Sequence, residues 1–173
     1  MLKKLQNRLN ESKGFTLVEL IVVIAIMVIL IALLVPNVVG YISSSQTTAN
    51  LSAAKSIYNA ANTCVVNGKA STGTYPDADT LADLMNGQTA SGSTEKLVTV
   101  PTGTSAIIYY DEDKGVVEQV LAASVNGDSV TADNGENQAV YDPELSGNAI
   151  ESSGYSAPTG IETISCTNGS DWG

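Results

Sequence analysis

From Leu20 to Val35 the chain runs through sixteen apolar residues without a polar one. A helix that is apolar on every side has to be sheltered on every side, by lipid or by other protein. Extended back to Phe15, the segment holds 21 residues, about 32 Å of helix at ~1.5 Å per residue and just enough to span a hydrocarbon core of ~30 Å. Glu19 stands one residue before the run. A carboxylate in a segment of membrane length is costly and by default marks a function. A bland reading competes: Glu19 is only ~6 Å along the helix from Phe15, could sit among headgroups, and suits the positive end of the helix dipole. The surroundings favour function.

Those surroundings begin with Met1 to Gly14, which carries Lys3, Lys4, Arg8 and Lys13 against Glu11, a net of +3. An ordinary secretory signal is cut behind its apolar region at a small-x-small site. Here the run ends in Leu34-Val35-Pro36-Asn37 with no such site close behind. The small residue at a boundary is Gly14, ahead of the run, and cleavage there keeps the apolar segment in the mature protein. The basic leader stays cytoplasmic by the positive-inside rule, which places the C-terminal region outside. Pro36 removes one helix hydrogen bond and should kink or loosen the rod.

Beyond Pro36 the helical pattern continues. Ile42, Ala49, Ala53, Ile57, Ala61 and Cys64, with Tyr58 and Val65, form a stripe at helical spacing, while Ser44, Ser45, Asn50, Ser52, Lys55, Ser56 and Asn59 make the opposite face. Asn67-Gly68 is the expected stop. The helix from Phe15 to Asn67 would be about 80 Å long at ~1.5 Å per residue, too long to be buried in a domain of this size. Downstream, a short helix is expected over 79–86, ended by Gly87. Leu97–Val100, Ala106–Tyr110, Val116–Val125, Ala139–Tyr141 and Ile161–Cys166 are the expected strands, with Asp111 to Gly115 as a hairpin turn. The fold class is therefore α+β: a long N-terminal helix, membrane-spanning then amphipathic, packed on a small antiparallel sheet.

Charge excludes some functions. Residues 70–173 carry sixteen acids against Lys96 and Lys114, a net of −14, so no nucleic-acid partner is expected. Histidine is absent from the sequence, which removes His-dependent nucleophile activation and the commonest metal ligand. With no nucleophile motif and no cofactor loop, neither an enzyme nor a cofactor is expected. Asp111, Glu112 and Asp113 fail the EF-hand pattern, because Gly115 and Ala122 stand where oxygen ligands belong. A solvated turn is the better reading, and Asp128, Asp133 and Glu136 keep only a weak metal option open. Cys64 and Cys166 are either two buried thiols or, in an extracellular domain, a disulfide. Tyr41, Tyr58 and Trp172 are expected to be packing residues.

Lys13-Gly14-Phe15-Thr16-Leu17-Val18-Glu19-Leu20 and the run behind it resemble the class III signal of type IV pilins and type II secretion pseudopilins. Pro36 falls where that family usually has a helix-loosening proline, and Gly73-Thr74-Tyr75-Pro76 resembles a stretch common after its first helix. The resemblance implies the type IV pilin fold and four regions: a cleaved leader over 1–14, a transmembrane and filament-core half-helix over 15–36, an amphipathic half over 37–68, and an extracellular loop and sheet region over 69–173. It also implies cleavage between Gly14 and Phe15 by a prepilin peptidase, N-methylation of Phe15, and roles in assembly for Phe15, Glu19 and Pro36. The implied partners are the chain itself as a helical homopolymer, the membrane before assembly, an assembly ATPase and a platform protein. The product is an extracellular pilus for adhesion, motility or biofilm formation. Two alternatives stand beside it: a pseudopilin of a secretion or DNA-uptake system, and a membrane-anchored surface protein that does not polymerise. The family's usual C-terminal disulfide loop is not reproduced, since Cys64 lies on the helix.

Overall fold

The computed structural model describes residues 14–89, 92–93, 96–125, 136–144, 150–151, 157–167 and 169–173. Residues up to Lys13, and Asp128 and Asp133, lie outside the described residues, as does the side chain of Glu136. By contacts the chain divides into two units, Met1–Ile42 and Ser43–Gly173. One helix, α1 (Leu17–Thr72), contributes to both. It is followed by α2 (Ala78–Met85), β1 (Gln88–Thr89), β2 (Gly92–Ser93), β3 (Thr104–Asp111), β4 (Val116–Ser124), β5 (Glu136–Tyr141), β6 (Ile150–Glu151) and β7 (Glu162–Cys166).

In the second unit, five strands form an antiparallel sheet in the order β6-β5-β4-β3-β7, with β6 only two residues long, and β1 and β2 pair as a separate ribbon. A long helix on a small antiparallel sheet is the α+β arrangement expected. The helical stripe that meets the sheet is Asn50, Ala54, Ile57, Ala61, Cys64, Val65 and Gly68. From Ile57 to Val65 this is the expected stripe. Upstream it is rotated by one residue: Ala49 is exposed and Ala53 half-buried, whereas Ala54 is fully buried. Asn50, expected on the solvent face, is only 4% exposed. Its amide nitrogen donates to Ser124 Oγ at 3.0 Å and to Asn137 O at 2.8 Å, which offsets the cost of burying it. Apolarity alone could not place it there.

The helix also ends later than expected. Gly68 is inside it and buried, and a Cβ at that position would come within 3.1 Å of Leu84 and 3.3 Å of Pro76. Gly68 is therefore a point of close approach for α2 and the connecting loop, and Thr72 is the last helical residue. The stop is Gly73, whose φ of +83° is open to glycine at little cost, and whose N–H closes on Lys69 O at 2.8 Å. Both glycines follow polar residues in sequence, so only the packing separates a close approach from a cap.

Helix α2 starts at Asp77, whose side chain accepts from Thr80 N at 2.8 Å. The Thr80 side chain first, and this backbone N–H second, hold the carboxyl of Asp77 below its usual range. The expected strand Leu97–Val100 does not form. Instead Leu97 N and Val98 N both donate to Met85 O, at 3.0 and 3.1 Å, so the segment closes the C-terminal end of α2. Val98 and Val100 remain buried; a run of four residues with two inward valines cannot be told from a strand by periodicity.

On the helix side of the sheet, Ala106, Ile108 and Tyr110 of β3, Val117, Val120 and Ala122 of β4, and Ile164 and Cys166 of β7 pack together with the helix stripe and α2. Tyr110 donates its hydroxyl to Pro76 O at 2.8 Å, and burial pushes that hydroxyl up to about 12. One extra residue in β4, between the pairs Tyr109↔Gln119 and Tyr110↔Val117, keeps both Val117 and Val120 facing inward. On the opposite side Tyr109, Leu121, Ala123 and Val140 form a second, smaller cluster. The C-terminal residues turn back on β7. Ser165 and Gly173 exchange both backbone hydrogen bonds, Trp172 donates Nε1 to Val98 O at 2.8 Å, and Asn86 forms a two-way amide pair with the Trp172 backbone. Trp172 is thus a packing residue, and Tyr58 packs edge-on against Tyr141. Tyr41, by contrast, is 82% exposed and packs on nothing in the single chain.

Candidate functional site: the start of the long helix

The helix begins where Thr16 can cap it. Thr16 Oγ1 accepts from Glu19 N at 3.2 Å, and Glu19 Oε2 accepts in return from Thr16 N at 2.9 Å and from Thr16 Oγ1 at 2.8 Å. Leu20 N to Thr16 O, 3.2 Å, is the first bond of the helical ladder. This is a capping box, with the threonine at the cap and the acid three residues on, each satisfying a donor that the helix leaves unpaired. A reading of Glu19 by its charge alone leaves out Thr16 as its partner, although the spacing Thr-x-x-Glu at the head of an apolar helix is a sequence signal for it. The box explains the bland half of the Glu19 reading in atomic terms. It also orients the carboxylate: Oε2 is committed to Thr16, and Oε1 faces no partner in the capping box and has lone pairs for another donor.

Behind the box, the large apolar residues from Leu17 to Val35 are between 50% and 73% exposed, and Phe15 is 90% exposed. The helix is long and apolar enough to cross a membrane, and no part of its apolar window is buried within the chain. An uncovered apolar surface of this extent marks a contact with lipid or with other protein. Helical assignment continues without a break through Pro36. Proline has no N–H, so Ala32 O has no partner four residues on, and Asn37 donates its side-chain amide to Leu33 O at 3.2 Å. A Cβ at Gly14 would meet nothing within 4 Å among the described residues beyond its chain neighbours.

Elsewhere the sequence candidates have structural roles. Asp111 accepts from Lys114 N and pairs with the Lys114 ammonium, and Glu112 accepts from Ala78 N at the start of α2. Cys64 and Cys166 are both buried in the helix-side core and are free thiols in this structure, so the disulfide expected between them is not formed here. Burial raises both thiols above the ordinary cysteine value, and Cys166 donates its S–H to Ser170 O at 3.0 Å. Protonated, buried thiols of this kind react slowly while the core around them stays closed.

Comparison with known proteins points the same way. Residues 9–35 match the family model described as the prokaryotic N-terminal methylation motif. A fimbrial protein of Pseudomonas aeruginosa is 32% identical over 112 residues, which is 65% of this chain and 68% of the relative. A type IV major fimbrial protein of Dichelobacter nodosus is 43% identical over 58 residues, 34% of this chain and 37% of its own. A type IV major alpha-pilin of Moraxella bovis is 50% identical over 56 residues, 31% and 35% of the two chains. No solved structure matches the chain. A methylation motif laid over a capped, uncovered apolar helix, and a fimbrial relative matched over most of its length, place this chain in the type IV pilin family.

Proposed function

We propose that the chain is a structural subunit that polymerises through the first half of α1 into an extracellular type IV pilus serving adhesion, motility or biofilm formation. The observation that carries this is the apolar wall from Leu17 to Val35, uncovered within the chain. Lipid covers it while the subunit waits in the cytoplasmic membrane as a single-pass precursor; copies of the same helix cover it in the filament. Repeated head-to-tail, such a contact builds an open helical polymer. A prepilin peptidase cuts between Gly14 and Phe15 and N-methylates Phe15, and an assembly ATPase and a membrane platform protein move the subunit from membrane to filament.

The cut creates a cationic amine at Phe15, next to a helix end that disfavours positive charge. In the filament, Glu19 of one subunit neutralises Phe15 of its neighbour. The capping box leaves Oε1 of Glu19 to accept from that amine while Oε2 holds its own helix start. In low dielectric such a pair matters most for register, because any stagger that leaves either charge unpaired is penalised. Pro36 supplies a point where the backbone ladder is already one bond short. The relatives named as major fimbrial subunits favour a pilus over a pseudopilus or a non-polymerising surface protein.

Electron microscopy of sheared surface filaments, with mass spectrometry of their subunits, tests the reading. The expected subunit begins at a methylated Phe15 and retains residues 15–36. Surface protein recovered only as membrane-bound monomer would overturn polymerisation. The oxidised pair Cys64–Cys166 belongs to the same proposal: both side chains lie in one core, and export carries them to an oxidising side. Closing a loop of about 100 residues should stabilise the domain by up to ~4–5 kcal/mol in the chain-entropy model. Non-reducing peptide mapping of filaments should return the two peptides linked. If denaturation without reductant lets both cysteines be alkylated, the filament keeps the thiols seen in this structure.

A further inference from the structure

Among the described residues, Asn137 is the only one other than glycine with a positive φ, at 51°. Its position explains why the backbone is turned this way. Along the β4–β5 ladder the pair Ala122↔Ala139 is followed by Ser124↔Glu136, so β5 spends three residues where β4 spends two. Asn137 lies in this bulge, and asparagine is among the few side chains that tolerate the left-handed region.

The bulge brings Asn137 to helix α1. Its Oδ1 accepts from Ser43 Oγ at 2.6 Å, its Nδ2 donates to Gln46 Oε1 at 2.7 Å, and its backbone O accepts from Asn50 Nδ2 at 2.8 Å. Ser43, Gln46 and Asn50 are spaced three and four apart, on one face of the helix. Asn50 reaches on to Ser124 Oγ at the end of β4. Apolar packing of the helix on the sheet begins only above this point, with the half-buried Leu51 and then Ala54 at 0% exposure. Below it, the contacts that Ser43, Gln46 and Asn50 make to the sheet are hydrogen bonds. These differ from apolar packing in one respect: water can replace them at small net cost, whereas separating packed apolar surfaces leaves both faces uncovered. The weakest attachment in a fold is where local opening occurs.

We propose that Asn137 is a latch, fastening the turns Ser43–Asn50 of the helix to the rim of the sheet so that these turns can lift from the sheet and reseat while the core above Ala54 stays closed. The latch is a conformational device of the compact unit and does not depend on how the pilus is used.

Maleimide labelling of the full, processed and reduced chain in detergent micelles tests it. A reporter thiol from Asn50→Cys occupies a site 4% exposed, and native Cys64, 2% exposed on the same helix, is the internal reference. The reporter should be labelled at least about tenfold faster than Cys64, since hydrogen-bonded attachment opens more readily than packed core. Adding Asn137→Gly keeps the left-handed backbone but deletes both side-chain grips, and should speed the reporter about tenfold again with Cys64 and Cys166 unchanged. Because Asn50→Cys removes bonds of its own, Ser124→Cys repeats the comparison with Asn50 intact. Equal labelling at positions 50 and 64 overturns the proposal, as does a reporter that Asn137→Gly does not move. If Asn137→Gly speeds all thiols together, Asn137 serves the stability of the whole domain and is not a latch.

Discussion

Glu19→Ala should abolish filaments or reduce them sharply while leaving the subunit inserted and processed in the membrane. Insertion survives because the change removes a charge beside an apolar run that is otherwise long enough to span the bilayer. Processing survives if the peptidase reads Gly14 and the basic leader. Assembly fails because the Phe15 amine then enters the filament core unpaired. Removing one partner of a buried pair typically costs ~3–5 kcal/mol, and the loss recurs with every subunit added. The capping box adds a second, smaller effect, since Thr16 N and Oγ1 lose their acceptor; loss of a helix cap costs ~1 kcal/mol. Two variants separate these effects. Thr16→Val deletes the hydroxyl but leaves the carboxylate, and should weaken the helix start without stopping assembly. Glu19→Asp keeps the charge on a shorter arm and should give intermediate amounts of filament. The measurement compares processed monomer in membranes with sheared filament for each variant. Normal filaments from Glu19→Ala would reduce Glu19 to a helix cap.

Gly14→Leu should stop the pathway one step earlier. Precursor carrying residues 1–14 should accumulate in the membrane, with no filament and no methylated Phe15. A Cβ at position 14 would meet no atom of the described residues beyond its chain neighbours within 4 Å, so the block is expected in the protease site, where a small residue lets the peptide lie close to the catalytic groups. Intact-mass spectrometry of the membrane fraction reads the outcome directly. Mature subunits from Gly14→Leu in wild-type amounts would move the cleavage site elsewhere.

Much of this molecule is legible in its sequence because one physical variable dominates at each place. A run that is apolar all round admits few readings. Apolar runs on either side of the turn residues Asp111 to Gly115 specify the β3–β4 hairpin. The features that escaped are those where a polar side chain does unexpected work. Asn50 reads as solvent-facing until Ser124 and Asn137, 74 and 87 residues away, are brought to it. Gly68 and Gly73 have the same local signature, and only Pro76 and Leu84 make the first a packing position. Leu97 to Val100 has strand composition, but its donors go to Met85 O. Tyr41 has the composition of a packing residue, yet in the single chain it is 82% exposed. At the helix start the spacing Thr16-x-x-Glu19 is a capping-box signal in its own right, which makes Glu19 an acceptor as well as a charge.

The sheet keeps two apolar clusters that share no residue, one against the helix and one on the far side built from Tyr109, Leu121, Ala123 and Val140. Changes at sites that share no partners tend to add independently. Residues toward the helix are constrained by the shape of a rod that must also fit its neighbours. Residues on the far side answer to no such template. Substitutions among Tyr109, Leu121, Ala123 and Val140 can therefore accumulate while the surface that receives the helix stays the same.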